Sequence, residues 1–141
     1  MAMENILIDT DVVLNVLLRE EPFFESSSKV LARLEQGNVR GFLTATTMTN
    51  IYYIAQKRVG HKIARICVRK LLETPGLKFL SVDEQVLRDA DVSKMADFED
   101  AVQVAAAKVA GVDLIVTRNL RDFHHSPIAA VRPEEFLEKL M

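Results

Sequence analysis

The chain has 141 residues, 49% apolar and 27% charged, with 20 acids, 18 bases and a net charge of −2. A single domain over residues 1–141 is expected, able to bury roughly two-thirds of its unfolded surface, which excludes intrinsic disorder. Cys67 is the only cysteine, so an internal disulfide framework and a cysteine-based metal site are excluded. No apolar run approaches the ~20 residues of a membrane span. Met1–Asn5 carries Glu4 and no basic residue. It does not read as a secretory leader, and a cytoplasmic location is expected.

Asn5 to Ile8 is a short apolar run that predicts a first strand ending at Asp9. Val12 to Leu18 predicts a short helix, interrupted before Pro22. Ser26-Ser27-Ser28 offers an N-cap for a helix through Leu34, with Gly37 suited to the position after its end. Gly41 to Thr44 predicts a second strand. Thr46 or Thr47 caps a helix that stops at Gly60, and His61 to Leu72 forms another, closed by Pro75-Gly76. Leu77 to Val82 predicts a third strand, and Asp83 caps a helix over Glu84 to Ala90. An alanine-rich helix follows from Phe98 to Ala110. Leu114 to Val116 is a fourth strand and Ile128 to Val131 a fifth. Pro133 stands at the first position of a terminal helix, with Glu134 and Glu135 beside it.

Strands alternate with helices, and the strands are continuous apolar runs. Such strands are buried on both faces, as in a parallel sheet covered by helices. Ligands of open α/β sheets bind at the carboxyl ends of the strands. Asp9, Thr10 and Asp11 follow the first strand. Asn50 lies in the first turn of the helix after the second. Asp97 and Asp100 head the alanine-rich helix. Thr117, Asn119 and Asp122 follow the fourth strand. Gathered on one edge, these acids repel one another unless a cation sits among them. Oxygen-only ligands suit Mg²⁺ or Mn²⁺ rather than zinc, and a hard metal activates water against a phosphodiester. Taken singly, each residue also has an ordinary role as a cap or a turn residue.

Three stretches together resemble one family. Ile6-Leu-Ile-Asp9-Thr-Asp-Val-Val-Leu is similar to the opening motif of PIN domains. Asp100-Ala-Val-Gln-Val-Ala-Ala-Ala-Lys-Val-Ala-Gly and Thr117-Arg-Asn-Leu-Arg-Asp122-Phe resemble their later motifs, in order and spacing. The resemblance spans Ile6 to Phe136 and implies a three-layer α/β/α, Rossmann-like fold with a parallel sheet of four to five strands. It implies ribonuclease activity with Mg²⁺ or Mn²⁺. Small members resemble VapC-type toxins of toxin–antitoxin modules, which implies a homodimer and a small antitoxin partner.

By this resemblance Asp9 matches the first acid, Asp100 the third and Asp122 the fourth, with Asn119 beside it. The chain departs at the second acid. Thr47-Met-Thr-Asn50 carries Asn where the family usually has Glu. An amide oxygen ligates without adding charge and cannot act as a base, so the metal should be held more loosely. Asp97, one turn from Asp100, is placed to replace part of that charge.

Six bases and no acid lie between Lys57 and Lys70. Lys62, Arg65 and Arg69 share one helix face, with Ile63, Ile66, Cys67 and Leu71 opposing it. This is a solvated amphipathic face or a phosphate-binding one. Arg118 and Arg121, flanking Asn119, stand nearer the expected site and are the better RNA-binding candidates. Of Tyr52 and Tyr53, one is expected in the core. His124 and His125 are expected to be a plain loop pair.

Two rivals remain to be weighed. Asp9-Thr-Asp11 also fits a haloacid-dehalogenase-like phosphatase motif, but the late Lys and acids of that family do not follow. The other is a PIN-like module that binds RNA or protein without cutting, which Asn50 keeps open.

Overall fold

The computed structural model describes residues 4–140. Met1 to Met3, part of the segment read as lacking a leader, lie outside the described residues. The elements are β1 (Glu4–Ile8), α1 (Thr10–Leu17), α2 (Phe24–Glu35), β2 (Val39–Thr44), α3 (Ala45–Leu72), β3 (Leu77–Leu80), α4 (Glu84–Asp91), α5 (Phe98–Val109), β4 (Leu114–Val116), β5 (Ala130–Val131) and α6 (Pro133–Lys139). A short 3-10 turn covers Leu120–Phe123.

The strands form one sheet in the order β3-β2-β1-β4-β5, and every pairing is parallel. Its two faces follow from strand alternation. Ile6 and Ile8 of β1, with Leu114 and Val116 of β4, join a core built with α1, α2, α3 and α6. Leu7 and Ile115 point the other way, into a core built with α4 and α5. The expected three-layer α/β/α architecture is therefore what the chain adopts. Gly41 lets α2 lie close to the sheet: a Cβ there would come within 2.8 Å of Leu34 Cδ1 and 2.9 Å of Ile8 Cδ1. No helix among the described residues is long and apolar enough to cross a membrane.

Several boundaries differ from the sequence reading. Helix α1 begins at Thr10 and is capped by Asp9, whose carboxylate accepts from Thr10 N. Helix α2 begins at Phe24, so Ser26, Ser27 and Ser28 lie inside it rather than capping it. Ser27 is buried and donates to Asn15 Oδ1 at 3.0 Å; the serines serve a tertiary network. Thr44, not Thr46 or Thr47, caps α3, accepting from Thr47 N at 3.0 Å. Gly60, at φ +83° and ψ +164°, interrupts α3 where two helices were expected. Strands β3 and β5 are shorter than read, ending at Leu80 and starting at Ala130.

Candidate active site

The strand order reverses direction at β1: β2 lies on one side and β4 on the other, so the crevice opens between the ends of β1 and β4. Asp9 stands at that point and is 8% exposed. Its Oδ1 accepts from Thr10 N at 2.8 Å, and its Oδ2 accepts from Thr117 Oγ1 at 2.8 Å. Thr117 follows β4 directly and its hydroxyl also accepts from Asn119 N at 2.9 Å. Burial pushes the Asp9 carboxyl up, against the hydrogen bonds from Thr117, Thr10 and Gln103.

Asp100 reaches the same place from the first turn of α5. Gln103 joins the two acids: its Nε2 lies 3.3 Å from Asp9 Oδ1 and 3.4 Å from Asp100 Oδ1. Gln103 is 1% exposed, and its Oε1 has no hydrogen-bond partner. Burial, then the charges of Asp9, Asp97, Asp122 and Glu99, pushes Asp100 up to about 7. Asp11 is pushed up to about 6, by burial and then by Asp9.

The other candidates divide. Asp97 caps α5, its Oδ1 accepting from Asp100 N at 2.9 Å. Its charge reaches Asp100 and Glu99. Asp122 lies in the 3-10 turn, close enough to raise both Asp9 and Asp100, and accepts from Asn119 Nδ2 at 2.6 Å. Asn119 and Asp122 are thus joined side chain to side chain. Asn50 faces α5 and donates to Glu99 Oε1 at 2.5 Å.

Arg118 does not serve as the sequence reading expected. Its side chain is 11% exposed, and its guanidinium bonds to Asn15, Glu134, Phe23 O, Ser26 and Ser27. A cation so fully engaged within the fold has no donor free for phosphate. Arg121 is exposed beside Asp122. Lys62, Arg65 and Arg69 are exposed on α3 beyond Gly60. The apolar side of that helix is Ala64, Cys67 and Leu71; Ile63 and Ile66, read as core-facing, are 52% and 46% exposed. Tyr53 is exposed and Tyr52 partly buried. Tyr53 and Thr49 border two adjoining grooves. One, of about 330 Å³, includes Asn50 and Glu99; the other, of about 420 Å³, includes Tyr52 and Arg65. Arg65 and Glu99 thus border adjoining grooves.

The sequence reading missed Gln103 and Glu99. Gln103 is signalled by being polar on the otherwise apolar buried stripe of α5, one turn after Asp100. Glu99 has no spacing signal of its own and emerges only when α3 and α5 pack.

Among the described residues, no three acidic, histidine or cysteine side chains surround one point closely enough to hold an ion as they stand. The donor chemistry nevertheless suits a hard divalent cation. It is oxygen-only, its carboxyls are raised by burial and mutual repulsion, and the buried Gln103 Oε1 adds an unpartnered acceptor.

The raised carboxyls set the pH response of the metal-free protein. Asp9, Asp11, Asp100 and Glu99 hold protons in the folded state that the unfolded chain releases. Stability therefore falls as pH rises from about 5 to 8, because the native state binds more protons across that window. Asp100 is half exposed, so screening reduces the effect to about 1–2 kcal/mol. Thermal melts in chelator should show a midpoint several degrees lower at pH 8 than at pH 5.5. A midpoint that holds or rises would refute the clustering of these acids.

Fold and site together describe a parallel α/β domain with an oxygen-only acidic site at the switch point of its sheet. The PIN domain family model matches residues 5–121, and the chain belongs to that family. Among solved structures it is similar to VapC20 of Mycobacterium tuberculosis, a sarcin–ricin loop cleaving toxin. That likeness has 16% identity and a TM-score of 0.72, over 91% of this chain and 99% of that one. VapBC2 of Rickettsia felis, bound to a promoter DNA fragment, is 12% identical at TM-score 0.71, over 91% and 98%. DNA-bound VapBC of Salmonella typhimurium is 18% identical at 0.70, over 93% and 99%. At such identities the likeness concerns the fold. No curated protein sequence matches the chain.

Proposed function

We propose that this PIN domain is a metal-dependent endoribonuclease and the toxin of a toxin–antitoxin module. The observation that carries the reading is the Gln103 amide, buried between Asp9 and Asp100 where β1 and α5 meet. Holding a half-exposed acid against a buried one is costly unless a cation shares them. Asp9, Asp100 and Asp122 would hold Mg²⁺ or Mn²⁺, with Asp97 adding charge from behind. Bound there, the metal lowers the pKa of a water and offsets charge developing on the phosphodiester.

The chain's own residues supply the rest. Thr117 and Thr10 hold the Asp9 carboxylate in one orientation, and Asn119 does the same for Asp122. Arg121 stands where a phosphate of RNA would approach, and Arg65 lines the groove along which the strand would run. Lys62 and Arg69 add to the field that draws RNA in. Tyr53, 59% exposed where the grooves meet, offers a face for base stacking.

The likeness to a sarcin–ricin loop cleaving toxin supports an RNA substrate, and the likeness to VapBC complexes supports a small antitoxin partner; a homodimer in the cytoplasm completes the proposal. The rival reading, a module that binds without cutting, rests on the absent charge at Asn50. Incubating the protein with a structured RNA separates them. Cleavage is expected with Mn²⁺ or Mg²⁺ and none in chelator. RNA bound but intact with either metal would establish the rival.

A further inference from the structure

The amide at Asn50 removes a charge from α3, and the packing of α3 on α5 brings one back. Three acids occupy the start of α5, and they are used differently. Asp97 is engaged in capping, and Asp100 faces Gln103 and Asp9. Glu99 is solvent-exposed and nevertheless has a side-chain partner. It reaches across to α3, where Asn50 Nδ2 donates to its Oε1 at 2.5 Å. Both residues border the same groove. Glu99 directly precedes Asp100 in the first turn of α5, and Asn50 stands on the early turns of the helix that follows β2, so their contact lies at the carboxyl edge of the sheet. Gln103, whose Nε2 faces both Asp9 and Asp100, keeps a buried Oε1 with no hydrogen-bond partner beside the same acids.

We infer that Glu99 is a working acid of this site: its carboxylate, held against α3 by Asn50, supplies the cation with the negative charge that position 50 lacks. The inference rests on the metal-dependent reading above. Asn50 is then a positioning residue. Its amide gives Glu99 one fixed direction, while the second carboxylate oxygen, Oε2, stays available to the ion or to a water on it. A glutamate at position 50 and a glutamine at 99 would put the same charge at the same contact from the opposite helix. An acid on both sides would add repulsion along with attraction. The alternative is that Glu99 only complements the dipole of α5, worth a few tenths of a kcal/mol and blind to metal.

Calorimetric titration with Mn²⁺ alone, on the full chain, distinguishes them. Glu99→Gln keeps the shape and the hydrogen bond to Asn50 and should weaken Mn²⁺ about 10-fold, the scale of one partly solvated charge. Its thermal midpoint in chelator should hold or rise. The exchanged pair Asn50→Glu with Glu99→Gln should restore affinity to within about 3-fold of the parent, a rescue that a dipole role does not produce. Asp9→Asn serves as the control. Affinity lost in Asp9→Asn but unchanged in Glu99→Gln would overturn this inference alone. Affinity unchanged in Asp9→Asn would overturn the metal reading and this inference with it. An exchanged pair that binds as weakly as Glu99→Gln would overturn the equivalence of the two positions.

Discussion

Asp9→Asn should lower RNA cleavage by about 100-fold or more, the scale on which a reaction loses its principal charge stabilisation, while leaving a protein that is folded and more stable without metal. The two effects have one cause. Asp9 is 8% exposed and raised by burial, so its charge is costly to the empty protein. Asparagine is nearly the same size. Its Oδ1 keeps the bonds from Thr10 N and Gln103 Nε2, and its Nδ2 donates to Thr117 Oγ1, whose hydroxyl proton can turn away. Removing the charge also relieves Asp100 and Asp11, both of which are raised by Asp9. The midpoint in chelator should rise by about 2–5 °C, corresponding to about 1 kcal/mol in a domain of this size. Cleavage assays and melts on one preparation check both. An inactive variant with a lowered midpoint would make Asp9 a structural cap; an active one would remove it from the chemistry.

Which parts of this arrangement were legible depends on how local the cause is. The alternation of apolar runs with capped helices placed four strands within a few residues, because burial on both faces leaves a continuous run that the eye can find. Asp9 and Asp100 were legible for the same reason, since each follows directly from where a strand ends or a helix begins. Thr44 was missed as the cap of α3 because Thr44, Thr46 and Thr47 are interchangeable on paper. Which hydroxyl caps is decided by where β2 stops. Ser26 to Ser28 looked like a cap, yet Ser26 and Ser27 serve Arg118, which arrives from over 90 residues away. Glu99 was invisible for a related reason. Its partner lies 49 residues earlier, on an element whose crossing with α5 no local pattern specifies.

Arg118→Ala should destabilise the protein by about 2–4 kcal/mol, the scale of leaving buried polar partners unpaired and removing packed side-chain atoms, without altering Mn²⁺ affinity. The residue comes just after β4 and ties three helices to it. Its Nε donates to Asn15 Oδ1 on α1 at 2.6 Å. Its Nη2 donates to Ser26 Oγ and Ser27 Oγ on α2 at 2.7 and 2.8 Å, and to Phe23 O at 3.1 Å. Its Nη1 faces both oxygens of Glu134 on α6, at 3.0 and 3.1 Å. The guanidinium carbon sits 4.4 Å from the centroid of the Phe23 ring. Truncation leaves the buried Asn15 Oδ1 and Ser27 Oγ only the bond they share, and it opens a gap under Phe23. Arg118→Lys should recover little, because one ammonium cannot span three helices in the plane of a guanidinium. The pH dependence gives a second handle. Burial pushes the Glu134 carboxyl up, but hydrogen bonds from Ser26 and Arg118 and the guanidinium charge outweigh it and hold it below its ordinary value. A lowered carboxyl stabilises above its unfolded pKa and ceases to do so as pH falls through the folded one. The gap between parent and Arg118→Ala in urea melts should therefore be widest near neutrality and narrow as pH falls below the ordinary carboxylate range and Glu134 takes up its proton. A gap under about 1 kcal/mol at pH 7, coupled with weakened RNA binding, would return Arg118 to the nucleic-acid surface.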